Sequence, residues 1–323
     1  MKVLFVCSAN SHYGISPIVK NQANSLKEAG LSVEYFGIKG KGLYGYLRNV
    51  RPLKRILAQN NYQIIHAHYG FSGILAVLAR RREKIVVSFM GSDVLLDGKY
   101  SLNYLLKYKT EIILNGFFSR RFFSHVIVKS EQMFDRLPGV KKKSIVPNGV
   151  NLDMFYPIPR EEARSFIGLA HNTKLILFSS DPARPEKNYP LAELAVKLAN
   201  LSNVKMIALK GIEQKKLKYY YNAADLLLMT SFFEGSPNVI KESMACNCPI
   251  VTTNVGDVEK VIGSTDGCYI SSFDPADVAE KIKKALVLSK RTNGRQQIID
   301  LGLEDKVIAG KLQSIYLSLA ETT

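Results

Sequence analysis

The chain has 323 residues, 46% of them apolar, and a formal net charge of +16. That length exceeds what one hydrophobic core usually serves, so two domains are the first expectation. The four cysteines, Cys7, Cys246, Cys248 and Cys268, form neither a CxxC pair nor a paired-ligand spacing, which argues against a disulfide framework or a zinc site and for a reducing, cytosolic compartment.

The opening MKVLFVCSAN holds too short an apolar run for a signal peptide, and no later run is long enough to span a bilayer. Residues 1–157 hold 23 Lys and Arg against 9 Asp and Glu, whereas residues 158–323 hold 21 against 19. A field concentrated on one half attracts an anionic partner, either nucleic acid or acidic lipid. No nucleic-acid module is present, which leaves an anionic membrane surface as the expected partner.

In chain order, short β-branched runs alternate with stretches of helical period. KVLFVCS, SVEYFGI, YQIIHAH, EKIVVSF and SHVIVKS come first, and KLILFSS, VKMIAL, DLLLMT, PIVTT and CYI follow. Runs apolar on both faces imply parallel strands covered by helices, so the expected class is α/β with two doubly wound, Rossmann-like sheets. The segment Pro147–Glu162, PNGVNLDMFYPIPREE, breaks both periods and reads as the linker. The expected domains are residues 1–157 and 158–304, with residues 305–323 forming a terminal helix. In open α/β sheets ligands bind beyond the carboxyl ends of the strands, so two facing sheets would make a cleft whose loops carry the chemistry.

Between residues 35 and 82 there is no acidic residue, while Lys39, Lys41, Arg48, Arg51, Lys54, Arg55, Arg80, Arg81 and Arg82 occur there. Interleaved with Leu43, Tyr44, Tyr46, Leu47, Val50 and Leu53, they read as a surface for anionic headgroups, and Pro52 argues against one unbroken helix. The segment from Tyr100 to Phe123 adds a similar mixture. Gly40-Lys41-Gly42-Leu43-Tyr44-Gly45 formally fits a dinucleotide fingerprint. It follows the second strand rather than the first and has no acidic residue after it up to residue 82 to bind a ribose, which weighs against a nicotinamide-dependent oxidoreductase.

The densest stretch is SFFEGSPNVIKESMACNCPIVTTNVGDVEKVI, from Ser231 to Ile262. Ser236 is placed to cap a helix that has Pro237 at its first position and runs to about Cys246, with Asn247 in the left-handed position beyond it. Glu234 then lies in the loop at the strand's end and Glu242 on the helix. A carboxylate can accept from a pair of adjacent hydroxyls, so one glutamate is expected to hold a ribose diol and the other a hexose. The amides near Ser236, Pro237, Asn238 and Val239 would face a pyrophosphate.

This stretch resembles the donor-site signature of the retaining glycosyltransferases of family 4, which have the GT-B fold. Glu234 and Glu242 match the family's pair of glutamates, and Val255-Gly256 match its VGG-type loop, with Asp257 where a second glycine is usual. Ser179 to Asn188 is similar to the segment whose cations clamp the donor diphosphate, and that likeness implies Arg184 and Lys187. VPNGVNLDMF resembles the interdomain segment and NGRQQI a late helix. In the first half, HYGISP (residues 12–17) occupies the turn where the family places a glycine near the donor, here Gly14. IIHAHYG and FMGSDV resemble acceptor-side loops, offering His66, His68, Gly91, Ser92 and Asp93, although Met90 stands where His is common.

The resemblance implies a terminal helix crossing back to the first domain and retention of configuration without a metal or cofactor. Arg184, Lys187 and Glu234 would be catalytic. Gly14, Ser236, Pro237, Asn238, Val239 and Glu242 would bind a UDP- or GDP-linked sugar. A glycan or lipid-linked acceptor at the inner face of the membrane, in cell-surface polysaccharide biosynthesis, completes the expectation. A nucleotide-sugar-binding protein that has lost catalysis is the alternative.

Overall fold

A computed structural model describes residues 1–11, 14–95, 102–170, 172–288 and 290–321, and for residues 43, 102–108 and 288 the backbone alone. His12, Tyr13 and Tyr100, which the sequence reading touched, lie outside the described side chains. The chain divides into two compact units, residues 1–149 with 305–323, and residues 150–304.

The first unit is built on β1 (Lys2–Ser8), β2 (Ser32–Ile38), β3 (Ile64–His68), β4 (Lys84–Ser88), β5 (His125–Val128) and β6 (Lys143–Ile145), in the order β2-β1-β3-β4-β5-β6. Every pairing is parallel. The central strands are buried throughout, as continuous Val/Ile-rich runs require when helices cover both faces. The helix Pro17–Glu28 sets Val19, Ala23 and Leu26 on one stripe and ends before Gly30, whose φ of +87° suits only glycine comfortably. Against the same cluster lies the terminal helix Asp305–Ala320, which buries Ile308, Leu312, Tyr316 and Leu319 with Val3, Phe5 and Leu26. The crossing back to the first unit is therefore a core contact.

The second unit carries β7 (Lys174–Phe178), β8 (Val204–Ala208), β9 (Leu226–Met229), β10 (Ile250–Thr253) and β11 (Cys268–Ser271), again all parallel, in the order β11-β10-β9-β7-β8. Both sheets have the doubly wound form that the runs implied.

Two details depart from the reading of the sequence. The division falls at Gly149 and Val150, earlier than 157, because Val150 N–H donates to Leu303 O at 2.9 Å and Phe155 enters the core of the second unit. In the basic segment, the helix Gly42–Leu47 is followed by Val50–Gln59, with the break at Arg48-Asn49. Pro52 sits inside the first turn of the second helix, where its missing N–H costs little.

Candidate functional site

In the second unit, the loops beyond the carboxyl ends of β7, β9 and β10 come together because those strands are neighbours. After β7 the chain forms the turn Pro185–Lys187 and then Asn188, held at φ +51°. Thr230, just past β9, donates from Oγ1 to the carbonyls of Lys187 (3.1 Å) and Asn188 (2.9 Å), and Phe232 N–H donates to Glu186 O at 2.9 Å. These bonds bring Lys187 to Glu234, and the Lys187 ammonium donates to Glu234 Oε1 in an ion pair. Ser231 Oγ donates to the same oxygen at 2.8 Å. Arg184 is 55% exposed and pairs with Glu186 at 2.6 Å, so the two cations of the segment occupy different settings.

Glu242 is buried, far from a solvated helix face. Tyr221 donates its hydroxyl to Glu242 Oε2 at 2.9 Å, and Gln214 adds a further hydrogen bond. Burial pushes the Glu242 carboxyl up to about 7, against the opposing pull of Tyr221, Gln214 and Lys241. Tyr221 and Gln214 come from the helix Gln214–Ala223, and no sequence motif announced them.

The predicted cap at Ser236 is not made. The helix runs Asn238–Ala245 with Pro237 in the cap position and no side-chain cap bond. Ser236 donates instead to Asp257 Oδ2 and accepts from Lys241, two side chains that outcompete the helix amides. Pro237 therefore lies one residue before the helix rather than at its first position. Asn238 and Val239 form its half-buried first turn, and Asn247 takes the left-handed φ of +55° beyond its end.

In the first unit, a cavity of about 400 Å³ opens at the carboxyl ends of β1 and β3, lined by Cys7, Tyr46, His68, Tyr69, Phe71 and Met90 among others. His68 is buried, stacks on His66 at 4.4 Å, and leaves Nε2 without a hydrogen-bond partner among the described residues. Burial and the Lys129 charge push it down to about 3, so it is a neutral imidazole at any physiological pH. His66 spends both ring nitrogens on structure, one on Tyr316 and one on Ser88 (2.8 Å).

Asp93 is wholly buried. Its carboxylate accepts from Met90 N–H (2.9 Å) and Gly91 N–H (3.0 Å), and from Gly70 N–H (3.2 Å) at the start of the helix Gly70–Ala79. It ties the loop after β4 to that helix, with Gly91 at φ +130° and Ser92 half-buried between them. Gly14 turns at φ +68° after β1 with open space around it. Two glycines of the dinucleotide-like run, Gly40 and Gly45, pack against each other: a Cβ on Gly45 would meet the Gly40 carbonyl carbon at 2.6 Å, and Asn10 brackets Gly40 N–H and O.

Comparison with known proteins bears on the family and the fold. Residues 18–154 match the family described as Glycosyltransferase Family 4, and residues 163–287 match Glycosyl transferases group 1. With these matches covering both units, the chain is a glycosyltransferase of the family 4 type with the GT-B fold. It is 28% identical over 255 residues to an uncharacterised glycosyltransferase of Methanocaldococcus jannaschii, covering 73% of this chain and 69% of that protein. It is 25% identical over 241 residues to TuaC of Bacillus subtilis, a glycosyltransferase named for teichuronic acid biosynthesis, covering 68% of this chain but only 60% of that protein. Among solved structures, sucrose-phosphate synthase from Thermosynechococcus elongatus superposes with a TM-score of 0.76 at 19% identity over the whole of both chains. HepE of Anabaena, solved with UDP and glucose, gives 0.73 at 17% identity over 98% of this chain and all of that one.

Proposed function

We propose that this protein is a retaining, metal-independent glycosyltransferase that moves a hexose from a UDP- or GDP-linked donor to a glycan or lipid-linked acceptor in cell-surface polysaccharide assembly. The observation that carries the reading is the pair of carboxylates that follow the carboxyl end of β9, the middle strand of the second sheet, each oriented by its own donors: Glu234 by Lys187 and Ser231, Glu242 by Tyr221. Oxygens fixed in this way can accept from hexose and ribose hydroxyls, while Lys187, Arg184 and the amides from Asn238 onward offset the diphosphate charge.

In the reaction, the bond between the anomeric carbon and the diphosphate breaks as the acceptor oxygen approaches the same face. The acceptor's proton passes to the departing phosphate, so the products are a glycoside and a nucleoside diphosphate. The protein contributes position and charge stabilisation. The TuaC likeness supports a polysaccharide acceptor, and the HepE likeness a UDP-linked donor.

The same reading includes peripheral attachment to anionic membrane. Among the described residues no helix is long and apolar enough to cross a bilayer. The helix Val50–Gln59 buries Leu53 and Leu57 and exposes Arg51, Lys54 and Arg55, while Leu102–Arg121 exposes Ile113 and Phe117 beside Arg120. Tyr46 and Leu53 are buried, which removes them from that surface; among the described side chains of that run Tyr44 and Leu47 are exposed and Val50 is half-buried.

A thermal-shift screen against UDP, GDP, ADP and their hexose conjugates tests the donor. Stabilisation by one nucleotide that disappears in Glu242→Ala supports the reading, and no response from any of them overturns it.

A further inference from the structure

Ser236 and Asp257 each stand at a helix start, where such side chains ordinarily cap the helix, and neither does. The helix Asn238–Ala245 receives no side-chain cap, and at Val258–Ile262 the Asp257 carboxylate leaves the helix amides alone. The two side chains meet each other: Ser236 Oγ donates to Asp257 Oδ2, Lys241 Nζ donates to Ser236 Oγ, and Lys241 Nζ lies 3.6 Å from Asp257 Oδ2.

Lys241 is completely buried and the Asp257 side chain is 8% exposed. Removing such charges from water costs several kcal/mol per ion before pairing offsets it, so an arrangement of this kind is weak evidence for added stability. Asp257 Oδ1 has no hydrogen-bond partner among the described residues, which leaves this carboxylate dependent on the Oδ2 side. Beside it, Gly256 at φ +64° presses the loop after β10 onto the loop that carries Glu234. A Cβ there would lie 2.8 Å from Glu234 O and 2.7 Å from Gly235 O. The buried pair therefore fastens together two loops, one of which bears a candidate donor carboxylate.

We propose that Lys241, Ser236 and Asp257 form a positioning unit for the donor site. They hold the 234–237 loop in register with the helix Asn238–Ala245, so that Glu234 and Glu242 meet a nucleotide-sugar at a fixed separation. They act through those residues and touch no reacting atom. The inference rests on the donor reading above.

The test compares Asp257→Gly, Lys241→Met, the double variant Lys241→Met/Asp257→Gly and Ser236→Ala. The probe is whichever UDP-, GDP- or ADP-hexose raises the wild-type melting temperature. Each single charge variant should lose on the order of 10- to 100-fold in kcat/KM, the scale of a displaced reacting geometry. The double variant leaves no buried charge unpaired, so its melting temperature should return toward wild type while kcat stays low. Ser236→Ala keeps both charges and should lower kcat by about 10-fold at a melting temperature closer to wild type than that of either single charge variant, which decides the matter where a charge variant fails to fold. Wild-type kcat in Ser236→Ala, or in the refolded double variant, overturns the proposal and leaves the pair merely structural. A Glu242→Ala variant that still binds the nucleotide-sugar would instead defeat the donor reading itself.

Discussion

At the residue scale, the carboxylates of the second unit make the sharpest predictions. In the donor role proposed for it, Glu242, raised to about 7 by burial, would accept strongly from ribose hydroxyls only when ionised. Affinity for a nucleotide-sugar, whose diphosphate diester does not titrate in this range, should weaken as pH falls through 7, and Glu242→Gln should flatten that dependence in calorimetric titrations. Lys187→Ala deprives Glu234 of its ion-pair partner and, on the proposed function, the leaving group of a cation, so kcat should fall on the order of 100-fold in a donor-turnover assay. The spacing of Glu234 and Glu242 was legible because it lies within one strand, loop and helix. Tyr221 was not: it reaches Glu242 from a preceding helix, and only tertiary packing joins them. Ser236 was misread as a cap for a related reason, since local preference cannot anticipate a buried lysine five positions on and an aspartate from another loop.

At the scale of elements, the strands were legible where they are buried on both faces. β6 was missed: it has three half-buried residues at the sheet edge, begins on the last of a run of three lysines, and offers neither length nor alternation to read. The NGRQQI helix was matched by likeness, but its work lies in its arginine. Arg295 donates to Phe155 O at 2.7 Å and Leu152 O at 3.1 Å, joining the start of the second unit to its end. Arg295→Ala leaves those carbonyls short of a donor and should cost about 2–3 kcal/mol in denaturant unfolding. Asp93, raised to about 7 by burial, binds its proton more tightly folded than unfolded. Its contribution to stability is therefore full below the unfolded value near 4 and is lost as pH rises through 7. Between those limits the decline in stability should be shallower in Asp93→Asn, measured as the denaturant midpoint against pH.

At the scale of the molecule, the uneven charge of the sequence survives folding as exposed arginines and lysines on the helix Val50–Gln59. Flotation with vesicles containing anionic lipid should succeed at low salt and fail as ionic strength rises, and the combined change Arg51→Glu/Lys54→Glu/Arg55→Glu should abolish it with donor binding intact. The terminal helix has a different kind of consequence, one of timing. The cluster formed by Val3, Phe5 and Leu26 is completed by Ile308, Leu312 and Tyr316, and the 155 residues of the second unit are translated in between. During synthesis at about 5–20 residues per second, the first unit must wait through that interval with part of its apolar face open, while the second can close as soon as it leaves the ribosome. The half of the chain made first is thus the half that matures last, and a nascent chain stalled before residue 305 should still present its amino-terminal unit to chaperones.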